Sequence, residues 1–140
     1  MATTYTADAA QSYAPVPGHG LGGSLKVVTE TYEVSTALVI NDVIEMVRVP
    51  KGAEVVDIIL VTDDLDTGTA LTLDVGTGDD VDYFIAASTV GRAGGVARAS
   101  EATAHPLTLS AEDTIDVHVS AAPTGGGTGT VSLTVLFKLP

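Results

Sequence analysis

A chain of 140 residues with 45% hydrophobic and 17% charged residues suits one domain of ordinary size with its own core, and it argues against general disorder. Aspartate and glutamate number 18 against 6 lysines and arginines, so the net charge is −12. That balance argues against a nucleic-acid partner, which needs cations to displace counterions from phosphate, and against an anionic membrane surface. Aromatics make up 4% and Trp is absent, so the core is built from Val, Leu, Ile and Ala. Cysteine is absent, which removes disulfides and thiolate metal sites and is compatible with synthesis in a reducing cytoplasm.

Residues 1–23 differ in composition from the rest and are expected to form an extended N-terminal arm ahead of a domain spanning 24–140. Pro15, Pro17, Gly18, Gly20, Gly22 and Gly23 oppose a regular helix or a central strand. Tyr5, Tyr13, Val16 and Leu21 give the arm anchoring side chains. Two readings stay open for it: a frayed terminus, or an arm lying along a neighbouring subunit. The first residues contain neither a basic stretch nor an apolar one, so no secretory signal is expected. No apolar run approaches the ~18 residues of a membrane helix.

Ser24 to Val34 is β-branched and alternating, which predicts a strand. Residues 35–41 read equally as a helical turn or a continuing strand. Val43 to Val49 predicts a second strand, with Val43, Val47 and Val49 on the face of Glu45, and Ile44 and Met46 on that of Arg48. Pro50-Lys51-Gly52 is a turn, because Pro presets φ and Gly permits φ > 0. Glu54 to Val61 is the most apolar run and predicts a buried strand; Asp57 within it is expected to face solvent beside an edge.

The turn Asp63-Asp64-Leu65-Asp66-Thr67-Gly68 follows. Thr69 to Val75 then alternates, with Leu71, Leu73 and Val75 facing one way. Asp79 to Ala87 suggests about one helical turn, with Asp79, Asp80 or Asp82 at its N-terminus and Tyr83, Phe84 and Ile85 plugging the core. Residues 90–99 are rich in Gly and Ala and carry little signal. His105 to Leu109 suggests a short strand. Thr114 to Ala121 alternates, with Ile115, Val117 and Val119 in and Asp116, His118 and Ser120 out. Residues 123–129 (PTGGGTG) suggest a flexible loop. Thr130 to Leu139 is the clearest strand, with Val131, Leu133, Val135 and Phe137 toward the core. Short strands at even spacing without a long helix indicate an all-β sandwich. Periodicity suits a jelly roll and an immunoglobulin-like sandwich equally.

The acidic turns invite a calcium reading, since hard cations take several oxygen ligands. Asp63, Asp64 and Asp66 lie in one turn; Asp74, Asp79, Asp80 and Asp82 surround the next. The spacing of a calcium-binding EF-hand loop is not met, and Asp in turns commonly caps its own backbone, so no metal and no cofactor are expected. His19, His105 and His118 are dispersed without ligand spacing. A Ser/His/Asp triad needs no sequence proximity, yet no nucleophile-elbow motif is present, and no catalytic residue is expected. The run Gly18 to Gly23 lacks the Lys-Ser/Thr ending and preceding strand of a phosphate loop. Lys26, Arg48, Lys51, Arg92, Arg98 and Lys138 are ordinary surface charges or ion-pair anchors for neighbouring subunits.

Several runs, taken together, resemble one family: Pro17 to Gly23 (PGHGLGG), Asp42 to Ala53 (DVIEMVRVPKGA), Asp63 to Gly68 (DDLDTG) and Leu73 to Gly76 (LDVG). The chain is similar to the head decoration, or cement, proteins of tailed bacteriophages, from about Pro17 to its C-terminus. The resemblance implies a single jelly-roll-like antiparallel β-sandwich that assembles as a homotrimer on the outer surface of a virion, against the major capsid protein, where it staples capsomer junctions. Made in the host cytoplasm, such a protein is no enzyme and contacts neither nucleic acid nor membrane. The resemblance supplies no contact motif. Tyr5, Tyr13, Val16 and Leu21 of the arm, Lys51, and Asp63, Asp64 and Asp66 are therefore the expected capsid or subunit contacts, chosen for exposure. The alternatives are a sugar- or receptor-binding sandwich, calcium-dependent or not, and another head or tail component; scarce aromatics count against the sugar reading.

Overall fold

The computed structural model describes residues 2–12 and 24–139, which form ten strands in two facing sheets. In chain order these are β1 (Thr4–Thr6), β2 (Leu25–Val34), β3 (Val43–Val49), β4 (Glu54–Thr62), β5 (Thr72–Gly76), β6 (Ile85–Ser88), β7 (Gly95–Arg98), β8 (Leu107–Thr108), β9 (Asp113–Ala121) and β10 (Gly129–Lys138). One sheet runs β1-β3-β9-β5-β6 and the other β2-β10-β4-β7, with β8 pairing a further stretch of β4. Without β1 and β8, the chain crosses between two four-stranded sheets at every step except the β5–β6 hairpin, so that β2 pairs β10, β3 pairs β9, β4 pairs β7 and β5 pairs β6. That nesting of the first strand with the last is the jelly roll. All pairs are antiparallel except β1 on β3, which is parallel.

The core between the sheets is aliphatic, with Phe84 and Phe137 as its buried aromatic rings. β10 supplies Val131, Leu133, Val135 and Phe137, all fully buried, as its alternation requires. In β3 the expected faces are split by a bulge at Met46, where Glu45 pairs Asp116 but Val47 pairs Ile115. An extra residue reverses the alternation, so Ile44 and Met46 are buried before it and Val47 and Val49 after it, while Glu45 and Arg48 stay outside. β4 does the same at Val56: Phe137 pairs Val55 and Leu136 pairs Asp57, which buries Val55, Ile58 and Leu60. Asp57 faces outward, yet β4 lies one strand in from the edge, and Asp57 pairs with Arg98 of β7.

Two further expectations change. Residues 79–84 form turns, not a helical turn; Thr77 N–H bonds the Asp80 carbonyl at 2.9 Å and Phe84 N–H the Val75 carbonyl at 2.9 Å. Gly76 lets this turn fold tightly, since a Cβ there would lie 2.0 Å from the Asp80 carbonyl. Ile85 then starts β6 against β5, because a β-branched and aromatic run gains more from pairing than from one turn of helix. Residues 35–41, left open between helix and strand, form a loop that tucks Leu38 into the core.

Of the first segment, β1 lies along β3, Ala7 N–H bonds the Glu45 carbonyl at 2.8 Å, and Ala7 and Ala10 are buried. Tyr5 of β1 meets Tyr32 of β2 with ring centroids 6.0 Å apart, linking the two sheets along one side of the sandwich.

Candidate functional site

Loops 35–42, 63–71 and 122–128 gather at one end of the sandwich, and the turns at 50–53, 77–83 and 109–112 at the other. β4 separates Lys51 from the Asp63 turn by its nine residues, about 30 Å of extended chain. The expected contact residues therefore do not form one site. Lys51 is exposed at the tip of its turn, where Gly52 has φ of 83° and donates to the Leu109 carbonyl at 2.8 Å. Tyr5 is half-buried on β1. Tyr13, Val16 and Leu21, like His19, lie outside the described residues.

Asp66 is fully buried and its carboxylate accepts five backbone N–H groups: Gly68, Ala70 and Leu71 of its own loop, and Thr124 and Gly125 of the β9–β10 loop. Burial pushes its pKa up, but the N–H groups of Gly125, Leu71, Gly68 and Ala70 outweigh burial and hold the carboxyl far below its usual range. Asp66 thus clamps two loops together, and the Gly-rich 123–129 segment is not a free loop but half of this joint. Gly125 is required there, since a Cβ would stand 2.0 Å from the Thr67 hydroxyl and 2.8 Å from the Gly68 nitrogen. Asp63 accepts both the N–H and the hydroxyl of Thr130 at 2.9 Å, and these bonds lower its pKa, N–H first. Asp64 accepts Asp66 N–H at 3.2 Å. The acidic turn spends its oxygens on N–H and hydroxyl donors of its own loop, the β9–β10 loop and β10, and among the described residues no three His, Asp or Glu side chains are arranged to hold a metal ion.

Three further carboxylates are buried: Asp42, Asp74, which the sequence groups with the acidic turns, and Asp116, which alternation places outward. Asp42 accepts Thr3 N–H at 2.8 Å and Val39 N–H at 2.9 Å, tying the N-terminal segment to the loop before β3. Asn41 beside it has φ of 68°, and the Asn-Asp pair was the available turn signal. Asp74 of β5 accepts Ala87 N–H at 2.7 Å, Ser120 Oγ at 3.0 Å and stands 2.9 Å from His118 Nδ1. The members of a triad are therefore neighbours, but in the wrong order: serine donates to the carboxylate, not to the imidazole, so nothing activates it. Asp116 on β9 lies opposite Glu45, and its Oδ1 is buried without a hydrogen-bond partner. Burial pushes its pKa up to about 7, with the charges of Glu45 and Asp113 adding and a bond from Thr114 opposing.

At the opposite end, a cleft of about 420 Å³ opens between Tyr83, Leu107 and Leu109, rimmed by Asp79, Asp80, Glu112 and Asp113. Nearby, a hydrogen bond with Asp80 raises the Asp82 pKa, and burial and the Asp80 charge add to it. Of the cations, Arg48 pairs with Glu112 at 2.8 Å, Lys138 with Glu54 at 3.2 Å and Arg98 with Asp57, while Arg92 Nε donates to the Leu71 carbonyl at 2.9 Å. These side chains hold the chain to itself.

No protein-family model and no curated protein matches the chain. Solved structures do. A chain of the capsid of Ralstonia phage GP4 is 30% identical, with a TM-score of 0.83 over 98% of each chain. A chain of the capsid asymmetric unit of cyanophage Pam1 is 31% identical, with a TM-score of 0.77 over 94% of this chain and 96% of that one. A chain from the acidic stable capsid structure of Helicobacter pylori bacteriophage KHP30 shares the fold at 20% identity, with a TM-score of 0.61 over 86% of this chain and 91% of that one.

Proposed function

We propose that this chain, which belongs to a family of bacteriophage capsid proteins, is a decoration protein that binds the outer surface of the phage head as a homotrimer and braces the major capsid protein. The observation that carries the reading is the likeness to chains of two phage capsids at 30% and 31% identity, over 98% and 94% of this chain. Physical features support it. The acidic surface suits the outside of a particle and is repelled by packaged DNA. Titratable clusters are consumed by the fold: Asp66 clamps loops, and Asp74 binds Ser120 and His118 without arming either. The protein works by binding. Contacts of ordinary strength suffice, because a trimer that touches several capsid subunits gains avidity.

The test is attachment to heads that lack this protein. Purified protein should co-sediment with such heads, saturate at a copy number divisible by three, and raise the temperature at which they release DNA. Failure to co-sediment at any ionic strength overturns the reading. Attachment without saturation in threes leaves the decoration role and removes the trimer.

A further inference from the structure

The cleft between Tyr83, Leu107 and Leu109 joins an apolar wall to a charged rim. Leu109 is buried, and Tyr83 and Leu107 are half-buried. The turns on either side are fixed to each other and to the fold. Gly78 N–H donates to the Asp113 carboxylate at 3.2 Å, Thr77 N–H to the Asp80 carbonyl at 2.9 Å, and the Tyr83 hydroxyl to the His105 carbonyl at 3.4 Å. At about 420 Å³ the cleft is near the small end of ligand sites, which run from ~300 to ~1,000 Å³, so it takes side chains and not a whole helix or strand. The rim carries charge that the fold leaves uncompensated. Asp79 and Asp80 are exposed on it and Asp113 is half-buried. Among the described residues none of these three forms an ion pair, whereas Glu112, the other rim carboxylate, is taken by Arg48. Asp82 stands close enough to Asp80 to share a hydrogen bond, so like charges crowd at the mouth. A cleft with apolar walls and a rim of one sign focuses the field into its opening.

We propose that this cleft receives a lysine or arginine side chain of a partner protein, with its stem along Tyr83, Leu107 and Leu109 and its cationic head among Asp79, Asp80 and Asp113. Charge complementarity selects that occupant. An anionic side chain is repelled by the rim, and a purely apolar one would strip water from the carboxylates without pairing them. A metal ion finds no three ligands arranged to hold it among the described residues. A second copy brings a net −12 of its own. Lysine and arginine carry the two parts that the cleft matches, an aliphatic stem and a charged head. The chemistry rests on the cleft alone; the partner's identity, the capsid surface, rests on the decoration reading.

The chemistry is tested first without heads. The full chain, isotopically labelled, is titrated with the peptide acetyl-Gly-Arg-Gly-amide and, in parallel, with acetyl-Gly-Glu-Gly-amide, and amide chemical shifts are followed. The arginine peptide should shift residues 77–83 and 107–113 saturably, and the glutamate peptide should not. Asp79→Asn with Asp80→Asn, both at exposed positions and checked for an unchanged melting temperature, should abolish those shifts. Shifts spread over every acidic turn, or retained in that variant, overturn the proposal. On heads that lack this protein the same variant should lose attachment roughly tenfold. Glu33→Gln with Asp64→Asn removes equal charge elsewhere on the surface and should attach like wild type. Equal losses in the two variants, or none in either, overturn the proposal and leave the decoration reading standing. A cleft variant that changes the oligomeric mass by light scattering places a second copy there and overturns it too. Wild type that binds the arginine peptide in the cleft but does not attach to heads sinks the decoration reading and upholds the cleft.

Discussion

Single carboxylates do the specific work in this protein, and their environments set opposite pH signs. Asp66 is fully buried yet remains ionised, because N–H donors from two loops surround it. Its stabilisation is fully present above the ordinary carboxylate range and is lost progressively as pH falls below it, because the unfolded chain takes up the proton first, until strongly acid conditions protonate the folded carboxyl as well. Asp66→Ala leaves those donors without a partner and should lower the melting temperature by roughly 5–15 °C, far more than Asp64→Ala at the exposed neighbour. Equal shifts in the two variants, by calorimetry, would count against the clamp. Asp116 has the reverse sign. Unfolded, an aspartate ionises near pH 4, but in the fold it holds its proton to about 7. Across that window the native state binds a proton that the unfolded chain has lost, so stability falls as pH rises and levels off above it. Asp116→Asn should be more stable than wild type at pH 7.5 by roughly 1–3 kcal/mol, with the gap closing toward pH 4. Urea melts at both pH values read this directly, and a gap that widens toward pH 4 refutes the sign.

Elements differ in how much of their role lies in their own residues. β10 sits between β2 and β4, and its alternation Val131, Leu133, Val135, Phe137 is both its pattern and its packing. Leu133→Ala should destabilise by about 2–5 kcal/mol, since close-packed neighbours collapse little into the gap. β3 and β4 carry the same kind of residues, but bulges at Met46 and Val56 shift which of them face inward, and no local pattern announces a bulge. β1 illustrates the opposite case. Thr-Tyr-Thr has no strand-length signal, and it forms only because β3 offers an edge and Asp42 catches Thr3. Removing residues 1–12 should leave the jelly roll intact by circular dichroism, lower its melting temperature by roughly 5–10 °C and promote aggregation through the bared β3 edge. Loss of the β spectrum would mean that β1 is part of the folding unit.

At the scale of the whole molecule, charge and topology act together. A net −12 leaves the chain self-repelling even though Arg48, Arg98 and Lys138 pair with carboxylates, and salt screens that repulsion. Salt therefore favours association of like-charged copies: raising it from about 0.05 to about 0.5 M should strengthen the proposed homotrimer, read by light scattering across protein concentration.

The amino-acid sequence alone determined that the domain is an aliphatic β-sandwich with acidic turns and no catalytic signature. Alternation and turn residues are local, and side chains such as Val117, Val119 and Leu133 point inward wherever a sheet forms around them. The tertiary structure decided which strands pair. β2 lies beside β10 with Gly129 opposite Val34 and Lys138 opposite Leu25, a partnership across most of the chain that no window of sequence contains. It also decided the fate of the carboxylates. Asp64 and Asp66 look alike in one turn, and the approach of a distant Gly-rich loop leaves the first in water and makes the second the buried clamp.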